Sequence, residues 1–100
     1  MTSKQRSYLK SLAVKLDTIF QIGKSGVTQE ICNQLLNALN ARELIKIKVL
    51  ETSPESVRDT ADKISQEIGA EVVLVIGMKI ILYRVSDIEK NRKIDISKIK

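Results

Sequence analysis

The sequence reads as a small α/β domain: three helices and a mixed four-stranded sheet in the order α-β-α-β-α-β-β. Three observations carry this. Apolar residues recur at helical spacing in three separate segments. Residues 44–50 alternate, with Ile45, Ile47 and Val49 against Lys46 and Lys48, as a half-buried strand does. A second apolar run, residues 72–76, is followed by a Gly-containing turn and another run at 80–83, the pattern of a hairpin. Strands joined through helices normally run parallel with right-handed crossovers, so the sheet is mixed.

In chain order, Ser3 can cap a first helix extending to about Lys15, with Leu9, Leu12, Ala13 and Leu16 as its apolar stripe. Its cations, Lys4, Arg6, Lys10 and Lys15, all avoid that stripe. Lys4 and Lys15 share an azimuth at about 100° per residue, with Arg6 and Lys10 on the far flank. A solvated helix face usually mixes signs as i,i+4 ion pairs. This one carries only positive charge, which points to an external anion. A short strand over residues 19–22 leads into Gly23-Lys24-Ser25-Gly26. Thr28 then caps a helix over residues 29–41 with Ile31, Leu35, Ala38 and Leu39 facing a core. Cys32 widens that face and reads as a small core residue.

For the lysines of the strand at 44–50, two readings stand: a solvated or edge-strand face, which the alternation favours, or an extension of a basic surface. Ser53-Pro54 reads as an N-cap and first helical residue. Val57, Ala61, Ile64 and Ile68 mark the core face of this third helix, and Gly69 ends it. The outer face mixes Glu55, Asp59, Asp62 and Glu67 with Arg58 and Lys63, as a solvated face does. Residues 72–76 are five apolar residues without alternation, the pattern of a strand buried on both faces. Gly77-Met78-Lys79 forms the turn into the last strand. Residues 1–86 are read as the domain, and residues 87–100 as a basic, partly mobile tail holding Lys90, Arg92, Lys93, Lys98 and Lys100.

Composition narrows the chemistry. One hundred residues with 43% apolar content suit one folded domain. No run approaches the roughly 20 apolar residues that span a bilayer, and Met1 to Lys15 holds no uninterrupted apolar stretch like a signal-peptide core, so a cytoplasmic location is expected. The single cysteine fits a reducing compartment. There is no histidine. That removes the usual general base and commonest metal ligand, and it excludes Ser-His-Asp and Cys-His catalysis. No catalytic residue, metal or cofactor is expected. The net charge of +5 lies wholly in the first half, where eight Lys/Arg face three acids; the second half has nine of each.

The Gly23–Gly26 loop sits where a strand hands over to a helix N-terminus, a place suited to phosphate. A nucleotide P-loop would need glycine at position 18, which is Thr18. The Gly-x-x-Gly loop of KH-type modules, which clamps a nucleic-acid backbone, does fit. An ordinary strand-to-helix turn fits the four residues equally well.

Taken together, Lys4-Gln5-Arg6 with Tyr8-Leu9, Gln21 through Thr28, Glu43 through Val49, Val75 through Lys79 and Leu82-Tyr83-Arg84 resemble the stand-alone CRM-domain proteins of the YhbY type. That family consists of RNA-binding proteins linked to large-subunit ribosome assembly. The resemblance reaches to about Val85. It implies a fold similar to the C-terminal domain of bacterial translation initiation factor three. It also implies an RNA surface on Lys4, Arg6 and Lys10 with Gly23, Lys24, Ser25 and Gly26; helix geometry adds Lys15. The sequence departs from the family pattern at Asp17-Thr18-Ile19-Phe20, where proline is usual, and at Ser25, where glycine is common.

The leading expectation is therefore a non-catalytic protein that binds structured RNA, large-subunit ribosomal RNA or pre-ribosomal particles. With only Tyr8, Phe20 and Tyr83 as aromatics, backbone and shape recognition is expected over base stacking. The alternative is a module docking on an acidic partner or ribosomal protein. A third class, an enzyme on phosphorylated small molecules with Lys24 as clamp, lacks any marked base, and no small-molecule substrate is expected.

Overall fold

The computed structural model describes residues 1–97 and 99; the expected tail lysines 98 and 100 lie outside them. The elements are α1 (Ser3–Ala13), β1 (Thr18–Ile22), α2 (Gln29–Arg42), β2 (Leu44–Val49), α3 (Val57–Ile68), β3 (Glu71–Ile76) and β4 (Lys79–Tyr83), then a 3-10 turn at Glu89–Asn91. The sheet order is β1-β2-β4-β3. β1 and β2 are parallel neighbours, and β4 runs antiparallel to both β2 and β3. The α3 crossover thus returns the chain parallel to β2 but one position away, and β4 fills the gap.

Two cores flank the sheet. On one face α2 and α3 pack Leu35, Leu39, Ala61 and Ile64 against Ile22, Ile45, Ile47, Val49, Ile80 and Leu82, closing it along its length. On the other, α1 sets Leu9 and Ala13 against Leu44, Val73, Ile81 and Tyr83, with Ile94 and Ile96 of the C-terminal segment alongside. This second core covers only the end of the sheet where β1 and β2 begin.

Several boundaries differ from the sequence reading. Thr2, one residue before Ser3, caps α1: its hydroxyl accepts from Gln5 N–H at 3.1 Å while the Gln5 side chain accepts from Thr2 N–H at 2.9 Å. The helix ends at Ala13, so the α1–β1 turn, rather than helix azimuth, places Lys15. α3 starts three residues later than Ser53-Pro54 suggests, with Ser56 accepting from Asp59 N–H at 3.0 Å. Thr28 and Gly69 cap as expected, Gly69 with φ 67°.

β3 is an edge strand with only Val73 fully buried, and its side chains pack into the cores on both faces of the sheet. The register shifts between Val72 and Leu74, so Val73 and Leu74 both join the α1-side core while Val72 and Val75 pack on the other. The unbroken apolar run thus reflects packing on both faces, as its pattern suggested, with a bulge shifting the alternation and Ile76 left exposed. The hairpin turn is the two residues Gly77-Met78, and Lys79 already belongs to β4. Gly77, with φ 56°, takes the first central position that a tight hairpin needs.

β2 lies in the middle of the sheet, so edge protection does not account for Lys46 and Lys48. Among the described residues no helix is long and apolar enough to cross a membrane.

Candidate nucleic-acid interface

The Gly-x-x-Gly segment forms a closed β-turn in which Gly26 N–H donates to Gly23 carbonyl at 3.0 Å. This puts Lys24 and Ser25 at the two central positions, both exposed. Among the described residues, neither side chain has a hydrogen bond, and the backbone N–H groups of Lys24 and Ser25 have no intramolecular acceptor. The two glycines do different work. Gly26 has φ 68°, and a Cβ there would lie 3.1 Å from Pro54 Cγ, so glycine is needed for conformation and for space. A Cβ on Gly23 would meet Leu50 Cδ1 at 3.5 Å and Thr52 Oγ1 at 3.6 Å, ordinary contact distances. Immediately afterwards Thr28 accepts from Ile31 N–H at 3.1 Å and opens α2, whose positive dipole end faces the turn. Glu30 in that first turn offsets part of the field.

On α1, Lys4 is exposed and Lys10 half-buried, and neither has a side-chain hydrogen bond or ion pair among the described residues. Arg6 turns inward, its guanidinium donating to Val72 carbonyl at 2.6 Å and Val73 carbonyl at 3.0 Å. It therefore anchors α1 to β3, a task its helical position did not reveal. Lys15 shares a shallow cleft of about 390 Å³ with Arg42, Lys46 and Asp17, at the start of β1.

The structure places these groups in two clusters. Lys15 lies just before β1 and the Lys24-Ser25 turn just after it, a strand length of roughly 17 Å apart, while α1 crosses the same end of the sheet as Lys15 and reaches β3 through Arg6. Between them, on the α1 side of the sheet, stand Lys46, Lys48 and Lys79, absent from the sequence-based site. The alternating lysines of β2 were the available signal. What sequence lacked was the strand order, which sets Lys79 directly opposite Lys48.

The C-terminal segment is organised by Glu43. This fully buried residue ends α2 with φ 66°. Its carboxylate accepts from the N–H groups of Ser86 at 2.9 Å, Lys93 at 2.6 Å and Ile94 at 3.0 Å. Burial pushes its pKa up, but the donors Ser86, Ile94 and Lys93, with the Arg92 charge, outweigh this and hold it below the usual carboxylate range. Gln5 adds a second tie, donating to the carbonyls of Ile96 and Ile99 at 2.9 and 3.0 Å. Cys32 is buried in α2, and burial, then the Glu67 charge, raise its thiol pKa, so it stays protonated as a core residue.

A helix on one side of a mixed sheet, two on the other, and an exposed Gly-Lys-Ser-Gly turn at a helix N-terminus define a small basic α/β module. Residues 1–84 match the CRS1 / YhbY (CRM) domain. The chain is 38% identical over 96 residues to Probable RNA-binding protein YqeI of Bacillus subtilis (strain 168), covering 96% of this chain and 98% of that one. It is 36% identical over 87 residues to an RNA-binding protein of Haemophilus influenzae, covering 87% and 88%. The solution structure of SAV1595 from Staphylococcus aureus, described as a candidate RNA-binding protein, superposes with a TM-score of 0.75 at 39% identity, covering 95% of this chain and 99% of that one. The chain belongs to the CRS1/YhbY (CRM) domain family.

Proposed function

We propose that this chain is a cytoplasmic, non-catalytic RNA-binding protein that engages structured large-subunit ribosomal RNA during ribosome assembly. The observation that carries the reading is the exposed Lys24-Ser25 turn, its two N–H groups unpaired among the described residues, at the N-terminus of α2. Gly23 and Gly26 shape it, Lys4, Lys10 and Lys15 add charge from the other end of the sheet, and Arg6 holds α1 in place. Family membership and the RNA-binding names of the relatives support the same reading.

Phosphate contacts dominate such binding, so affinity should fall by about 0.7–0.9 log units per log unit of salt for each contact. The test is fluorescence anisotropy with labelled large-subunit ribosomal RNA fragments over a salt series, for wild type and Lys24→Ala. Weaker binding of the variant, with a slope smaller by about one contact, supports the turn as the site. Unchanged binding moves the site to α1. No binding by wild type turns the reading to an acidic protein partner, and nuclease resistance of a captured complex would then identify it.

A further inference from the structure

Four residues line up across the upper end of the sheet on the α1 side, one from each strand: Gln21, Lys48, Lys79 and Ile76. None belongs to either core. Gln21, Lys79 and Ile76 are exposed and Lys48 is half-buried. Lys48 and Lys79 are paired directly, an arrangement that costs stability because like charges opposite one another repel. Glu51 shares a hollow of about 410 Å³ with Lys48 but forms no ion pair with it, and no acid neutralises Lys79 among the described residues. Edge protection is no explanation, because β2 and β4 are both interior strands. A local rule broken without internal compensation points to a function outside the molecule.

We infer that this open half of the sheet is itself an RNA-binding surface, on which Lys46, Lys48 and Lys79 hold the phosphate backbone between α1 and the Lys24 turn. The inference rests on the RNA reading above and extends it from two separate clusters to one track. Lys46 and Lys48 lie two residues apart on the same face of β2, about 6.6 Å along the strand. Lys79 widens the row, Lys15 meets Lys46 in the lower cleft, and Lys24 follows the end of β1. A single-signed strip of this kind attracts a polyanion; a protein partner would need apolar contact, and Ile76 is the row's only large apolar residue.

The test compares the double variant Lys48→Gln/Lys79→Gln with Lys24→Ala and with Arg58→Gln, an exposed cation on α3, using the same labelled ribosomal RNA fragments. If a contact contributes nothing at 1 M salt, each contributes roughly five- to eightfold at 0.1 M, so the double variant should bind about 25- to 60-fold more weakly, with a salt slope smaller by about 1.4 to 1.8. Its thermal midpoint should rise, because the repulsion is relieved, which shows that the lost affinity is not unfolding. Arg58→Gln should bind as wild type does. A double variant that also binds like wild type overturns the inference while wild-type binding keeps the RNA reading, and Lys24→Ala then shows whether the turn or α1 carries the contact. Failure of wild type to bind RNA overturns both.

Discussion

The two faces of the sheet are built by opposite rules. On the α2/α3 side every inward strand position is apolar from one end to the other, and two helices close it. On the α1 side the lower half buries Leu44, Val73, Ile81 and Tyr83 under α1 but already admits Lys46, and the upper half ends in Lys48 and Lys79, which belong to neither core. The same strand, β2, serves both: Ile45, Ile47 and Val49 supply the closed face while Lys46 and Lys48 point the other way. One face maximises burial; the other sets two like charges directly opposite one another.

The sharpest way to break this comparison is to truncate each face. Leu39→Ala removes a fully buried side chain from the closed face and should cost about 2–5 kcal/mol, whereas Lys79→Gln should gain about 0.2–1 kcal/mol. Urea denaturation checks both through the midpoint at constant slope. Equal losses would mean that the lysine row is part of the structural framework.

The next effect concerns Glu43, which ties the C-terminal segment to the α1 side. Glu43→Gln removes charge-assisted acceptance from three N–H groups and should cost about 2–4 kcal/mol, with faster hydrogen exchange at Ser86, Lys93 and Ile94. The pH sign follows from the depressed pKa of the folded carboxyl. Its contribution is complete above the ordinary glutamate value of about 4.3 and is lost as pH falls through the lower folded value. Wild type should therefore lose stability below about pH 4.3 more steeply than the variant. Parallel acid curves would remove Glu43 from this role.

A smaller pair separates the loop glycines. Gly26→Ala should cost about 1–2 kcal/mol, because alanine resists φ 68° and its methyl meets Pro54. Gly23→Ala should stay within about 0.5 kcal/mol of wild type by the same denaturation measurement. An equal cost at Gly23 would show that the turn constrains both ends alike.

Much of the architecture was legible in the sequence because it is local. The alternation of β2, the Thr28 and Gly69 caps and the helical stripes each depend on residues a few positions apart. What was missed depends on distant partners. The interior place of β2 follows from β4 inserting between β2 and β3, and only then does Lys79 face Lys48. Arg6 looked like one more surface cation until the carbonyls of Val72 and Val73 met it. Glu43 figured in the sequence as an acid in a basic half and as the start of a segment that carries the family resemblance, with no structural task assigned to it. Its positive φ and its grip on residues fifty positions away carry no local signature. The candidate site was thus read at its two ends, α1 and the Gly-x-x-Gly turn, while along the sheet Lys46 and Lys48 stood only as one of two readings and Lys79 had no local signal at all.

The most direct test is amide and lysine side-chain chemical-shift mapping of the protein titrated with a large-subunit ribosomal RNA fragment. Perturbations are expected along Lys15, Lys46, Lys48, Lys79 and Lys24, with the outer faces of α2 and α3 silent. Shifts concentrated on α2 and α3, with Lys48 and Lys79 unmoved, would contradict the division of labour between the two faces.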